Sequence, residues 1–158
     1  LSCSCFIIKF NHKKFRIYLE ENYKVSLAYY FLGYESETEK ILYQNLEKAG
    51  FIIVFKEHNP TMLGQKKGNV DTDIVFEIMK NVAGTAFSKV ILVSGDGDYK
   101  KLINYLLQKE KLEKMLFPNK KFASSLYKQY GSEYFDYLEN IKSYIQYLKI
   151  NTINEKGS

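Results

Sequence analysis

Short apolar runs rich in β-branched and aromatic residues alternate along this chain with longer segments of helical period. No other feature limits its fold so strongly. CFIIKF (Cys5–Phe10), VSLAYYFLGY (Val25–Tyr34), FIIVFKE (Phe51–Glu57), KVILVSG (Lys89–Gly95) and EKMLFPN (Glu113–Asn119) read as strands. The first intervening helix follows Asn11 as N-cap and carries Phe15, Tyr18 and Leu19; the second runs from Ser36 through Lys48, with Ile41, Leu42 and Leu46 on one face and Gly50 beyond its end. A third spans Asn69 to Val82, and a fourth Tyr99 to Lys109 with Leu102, Ile103, Leu106 and Leu107 inward. Two more helices are expected, around Phe122–Tyr130 and Glu133–Leu148. Strand–helix alternation of this kind builds an α/β, mostly parallel sheet with right-handed crossovers. KVILV, the most continuous apolar run, suits a central strand covered on both faces.

The remaining bounds are simple. The 158 residues suit a single domain over 1–150 with a polar tail at 151–158. An apolar fraction of 46%, with 14 Tyr and 11 Phe, excludes a disordered chain. No apolar run approaches the roughly 18 residues of a membrane span, so no membrane partner is expected. Cys3 and Cys5 are the only cysteines, which excludes a disulfide framework and fits a reducing cytoplasm. The opening LSCSCFIIKF lacks the features of a signal peptide and reads as a truncated or mis-started end. Homo-oligomerisation is left open.

Charge is unevenly spread. Of five aspartates, Asp71, Asp73, Asp96 and Asp98 fall within 28 residues, while residues 100–128 hold eight Lys against two Glu. A basic block beside an aspartate cluster suits a polyphosphate backbone, or else a plain lysine-rich surface. SGDGDYKKL (Ser94–Leu102) follows the KVILV run, where α/β sheets bind ligands, and Gly95 and Gly97 allow a tight turn there. The bland reading makes Asp98 an N-cap and Asp96 a turn residue. In KGNVDTDIVFEIM (Lys67–Met79), helical phase puts Asp71 at the centre of the apolar arc and Asp73 and Glu77 opposite, in solvent. A carboxylate on a packed face needs a cation or donors, so Asp71 should meet Asp96 and Asp98 at the sheet edge. Three converging carboxylates repel unless a cation joins them, and hard oxygen donors suit Mg²⁺ or Mn²⁺. Such sites perform phosphoryl transfer. Lys66, Lys67, Lys100 and Lys101 flank the two motifs and could hold phosphates.

KGNVDTDIVFEIM followed by VILVSGDGDYKKLINYL resembles the NYN domain of the LabA-like group, within the PIN-like nuclease superfamily. The resemblance runs from about Asn11 through FPN and the last helices. It implies a three-layer α/β/α sandwich with a central parallel sheet, a Mg²⁺ or Mn²⁺ cofactor and cleavage of RNA, single-stranded by expectation. Asp71, Asp96 and Asp98 match the acidic positions as metal-holding catalytic residues, and Ser94 matches the serine that orients a carboxylate or phosphate. The chain also departs from the family, which opens on a strand ending in an Asp-Gly-x-Asn-like motif. No Asp precedes Asp71 here. Either that strand is lost to truncation, leaving an incomplete sheet, or CFIIKF replaces it with Asn11 as a supporting residue at its end.

Other readings are weaker. A catalytically weak module of the same fold would bind RNA or a protein partner, and an acidic-pocket phosphatase would act on small molecules. Cys3, Cys5 and His12 could form a zinc site, though no second cluster completes it; His12 and His58 read as surface residues. Tyr29, Tyr30 and Phe31 could stack bases but fit a strand core better.

Overall fold

The computed structural model describes residues 11–57, 70–84, 87–121 and 125–146. The expected strand Cys5–Phe10, the loop at 58–68 and the tail at 151–158 lie outside them. Ten elements follow in order: α1 (His12–Tyr23), β1 (Tyr29–Leu32), α2 (Lys40–Ala49), β2 (Ile52–Phe55), α3 (Asp71–Ala83), β3 (Val90–Val93), α4 (Lys100–Gln108), β4 (Leu112–Phe117), β5 (Phe135–Tyr137) and α5 (Lys142–Ile145). Strand pairing is parallel throughout the described residues. Tyr29 to Leu32 lie opposite Ile52 to Phe55, and β4 sits between β3 and β5.

Period-two alternation along β4 assigns its side chains to two cores. Met115 and Phe117 join a cluster with Val90 and Leu92 of β3, Val82 of α3, and Leu102, Ile103 and Leu106 of α4. Leu116 points the other way, to Phe15 and Leu19 of α1, Leu46 of α2, Phe51 and Ile145 of α5. A sheet buried on both faces needs helices on both sides, which is the three-layer α/β/α arrangement.

Local chemistry explains the helix ends. The Asn11 side chain accepts a 3.0 Å hydrogen bond from the Lys14 N–H and so caps α1. Gly50 ends α2 at φ 92°, a conformation open to glycine. Arg16 reaches across both connections: its guanidinium donates to the carbonyls of Gly50 (3.4 Å) and Ser26 (3.0 Å), beside Glu20.

Three expectations are corrected. Ile41, expected inward on the second helix, is 75% exposed, because it stands five residues from the fully buried Leu46 and so about 140° round α2 from it. The two final helices do not form as expected; instead come 3₁₀ turns at Ser125–Tyr127, Ser132–Tyr134 and Leu138–Ile141, the strand β5 and the single turn α5. Phe135 and Tyr137 lie 5.4 and 5.5 Å from the Phe117 ring, so aromatic packing draws this segment into the sheet against its helical pattern. His12, expected at the surface, is half-buried with its ring edge-on to Tyr30 at 5.7 Å. Among the described residues, no helix is long and apolar enough to cross a membrane.

Leu46 is fully buried whereas Ile41 is exposed, so Leu46→Ala should cost about 2–5 kcal/mol in urea unfolding. Ile41→Ala should stay within about 0.5 kcal/mol. Equal losses would contradict the observed phase of α2. Burial lowers the His12 pKa below its ordinary 6.5, so the unfolded chain takes up this proton first as pH falls. The contribution of neutral His12 to stability is therefore complete above the unfolded value and is lost as pH drops through it. His12→Gln should flatten the fall in unfolding free energy that begins as pH drops below the ordinary histidine value of 6.5.

Candidate metal centre

The β3–β4 ladder continues one residue past β3, where the Ser94 N–H donates to the Leu116 carbonyl at 3.1 Å. The chain then leaves the sheet through Gly95, Asp96 and Gly97. Asp96 turns back on the loop: its Oδ1 accepts from the Asp98 N–H at 3.0 Å, capping the 3₁₀ turn Gly97–Tyr99 that runs into α4. Ser94 Oγ accepts in turn from the Asp96 N–H at 3.1 Å. The capping role that might have explained Asp98 thus belongs to Asp96. Asp98 is exposed at the rim.

Asp71 comes from a different element, as the first residue of α3. α3 packs through Ile74, Val75, Ile78 and Met79 on the core that contains β3 and β4. Its amino end therefore lies at the carboxyl edge of the sheet. There Asp71, Asp96 and Asp98 each present a carboxylate oxygen, all within 4.8 Å of one another. A cleft of about 320 Å³ opens beside them, lined by Asp71, Thr72, Val75, Asp98 and Tyr99.

Two buried phenols hold this edge together. Tyr99 donates to Asp71 Oδ1 at 2.5 Å, and Tyr127 donates to the backbone carbonyl of Asp96. Burial first, and then the hydrogen bond to Asp71, push the Tyr99 hydroxyl well above the ordinary phenol range. Burial and the nearby Asp96 carboxylate do the same for Tyr127. Both phenols stay protonated donors at any physiological pH. Neither was singled out from the sequence, although Tyr99 directly follows Asp98 in SGDGDY.

The donor set fits a hard divalent cation. Oxygens on opposite sides of a Mg²⁺ ion lie roughly 4 Å apart, so a spread of 4.8 Å or less needs only a small side-chain adjustment. Among the described residues no Cys or His joins the cluster, and three carboxylates are hard donors better suited to Mg²⁺ or Mn²⁺ than to zinc.

The NYN domain model matches residues 3–139. This chain belongs to the NYN domain family. NYN domains are part of the PIN-like nuclease superfamily, and NYN nuclease domains are generally dependent on divalent metal. A crystal structure of a protein of unknown function from Vibrio parahaemolyticus RIMD 2210633 superposes with a TM-score of 0.65. The alignment covers 85% of this chain and 82% of that one at 20% identity, which supports the fold alone. No curated protein matches the sequence significantly.

Other residues stand apart from the carboxylate trio in this NYN domain. Asp73, expected to be a solvated bystander, faces Lys56 just beyond β2 at 3.8 Å. Asn11 uses its side-chain oxygen as a helix cap, and its N–H donates to the Ile145 carbonyl at 2.8 Å. Tyr30 packs in the core, while Tyr29 is partly exposed. Lys66, Lys67, Cys3, Cys5 and His58 lie outside the described residues.

The basic block divides because α4 carries the chain back across the sheet. Lys100 and Lys101 begin α4 at the carboxyl edge, and Lys120 and Lys121 follow β4 at that edge. Lys109 and Lys111 lie at the opposite edge, where Lys111 donates to the Phe87 carbonyl. Lys114 donates to the Glu133 carbonyl.

A cation bound only by the folded chain raises its melting temperature, by an amount equivalent to about 2.7 kcal/mol at a hundredfold excess over Kd. Mn²⁺ should therefore stabilise the wild-type chain, and chelation by EDTA should reverse the shift. Asp71→Asn should abolish most of it and Asp73→Asn should leave it intact, both read by thermal melts. Equal shifts in the two variants would remove Asp71 from the site.

Proposed function

We propose that this NYN domain is a metal-dependent endoribonuclease of the LabA-like type, hydrolysing phosphodiester bonds in single-stranded RNA. The convergence of Asp71, Asp96 and Asp98 at the carboxyl edge of a parallel sheet carries the reading. Mg²⁺ or Mn²⁺ held there supplies charge neutralisation at the scissile phosphate and activation of water.

The chain's own residues have distinct tasks in this reading. Asp71 and Asp96, both half-buried, form the inner wall of the cation site, and Asp98 faces the solvent from which substrate arrives. Ser94 fixes the backbone of Asp96, which keeps that carboxylate from swinging away. Lys100 and Lys101 meet the phosphate backbone on one side, with Lys66 and Lys67 assigned the same role from the sequence. A cytoplasmic location agrees with the low cysteine content.

One observation favours a second reading. No aspartate precedes Asp71, so the amino-terminal carboxylate of the family pattern has no counterpart in this sequence. A domain that lacked that carboxylate altogether would bind RNA or a protein partner and cleave slowly or not at all.

Asp96→Asn separates the two readings cleanly, because asparagine keeps the cap on the Asp98 N–H and removes only the charge. With labelled single-stranded RNA and Mn²⁺, the wild type should cleave and Asp96→Asn should lose about 10²-fold or more in rate, in line with several kcal/mol of lost charge stabilisation. Salt-sensitive RNA binding with no cleavage by either protein would establish the binding module instead.

A further inference from the structure

We propose that Tyr99 is a positioning residue for the cation site: its hydroxyl orients the Asp71 carboxylate and sets its distance from Asp96 and Asp98. The inference rests on the metal-site reading above and assigns a role to a residue that supplies no carboxylate to the trio.

The three carboxylates arrive on two separate elements. Asp96 and Asp98 are held by one tight turn, whose geometry Ser94 and the Asp96 cap determine. Asp71 belongs to α3, which reaches the same edge only through packing on the core. Core packing of aliphatic side chains sets helix position to within a fraction of a turn. It does not set the rotation of a terminal carboxylate, whose last torsion is broad. The hydrogen bond from Tyr99 to Asp71 Oδ1 spans the two elements directly.

Tyr99 is well suited to this task. It is the last residue of the Gly97–Tyr99 turn, adjacent to Asp98, and only 2% exposed. Its ring packs in the core with Leu102, Ile103 and Phe117. The phenol oxygen therefore has little freedom relative to the turn, and the bond it donates transfers that rigidity to Asp71. Phenylalanine would fill the ring's space equally well, so the hydroxyl at a buried position calls for a polar explanation. A neutral phenol is also the right donor. It gives one proton to a carboxylate without bringing a positive charge that would compete with the cation, as lysine or arginine would.

Outer-shell partners of this kind typically alter metal affinity by about 10–100-fold when removed. The test is calorimetric titration of Mn²⁺ into the metal-free full chain as wild type, Tyr99→Phe and Tyr130→Phe. Tyr130 donates to Asn104 Oδ1 and to none of the three carboxylates in that bond, and controls for the general loss of a phenol hydrogen bond. Wild type and Tyr130→Phe should bind alike, and Tyr99→Phe should bind at least about tenfold more weakly with an apo melting temperature close to that of Tyr130→Phe. A fourth protein with 4-aminophenylalanine at position 99 keeps a donor in place and should recover most of the lost affinity. Wild-type affinity in Tyr99→Phe would overturn the inference and leave the metal site standing. Weak binding by the 4-aminophenylalanine protein, despite a native melt, would also overturn it by showing that a donor at this position does not restore the site. Absence of Mn²⁺ binding by the wild type would overturn both the inference and the reading beneath it.

Discussion

Burial of β4 on both faces is the constraint on which the rest of the molecule depends. Met115, Leu116 and Phe117 are consecutive and at most 2% exposed, so neither side of the sheet can face water there. Burying side chains of this size stabilises the fold by roughly 1.5–3 kcal/mol each. The gain requires helices on both sides, and the helices in turn serve as the crossovers that make neighbouring strands parallel. Parallel strands then end at one edge. The gathering of chemistry at that edge follows from the way the core is buried, before any functional residue is considered.

The edge itself is held by polar bonds that tie loop to helix. Ser94 and Tyr127 act on the backbone around Asp96, while Tyr99 reaches the side chain of Asp71. Two of these three donors or acceptors are aromatic residues whose rings belong to the main core. Carboxylate placement is thereby coupled to hydrophobic packing, so a substitution that loosened the core around Phe117 would be felt at the sheet edge as well.

Much of this was readable in advance where a single local force decides the outcome. Asn11 announces a helix because its side chain can replace a missing hydrogen bond, and Asp71 reveals itself because a charge sits in phase with Ile74, Val75 and Ile78. What escaped depends on partners distant in sequence. Phe135 and Tyr137 become strand residues only because Phe117 is there to receive them. The lysine block looked continuous until α4 reversed the chain and left Lys111 at the far edge. Tyr99 looked like an ordinary core aromatic because nothing local says where its hydroxyl ends.

Arg16 has a consequence of a different sort. It is the only arginine in the chain, and its fork is committed to the carbonyls of Gly50 and Ser26, bracing α1 against the two connections beside it. The domain is left without a spare planar guanidinium. Paired, directional grips on phosphate, or on the major-groove edge of guanine, need that shape. Any polyanion at the carboxyl edge must be met by ammonium groups on flexible stems, which sense charge density rather than the identity of a base. Discrimination among sequences would then have to come from the shape of the cleft and the rings near it.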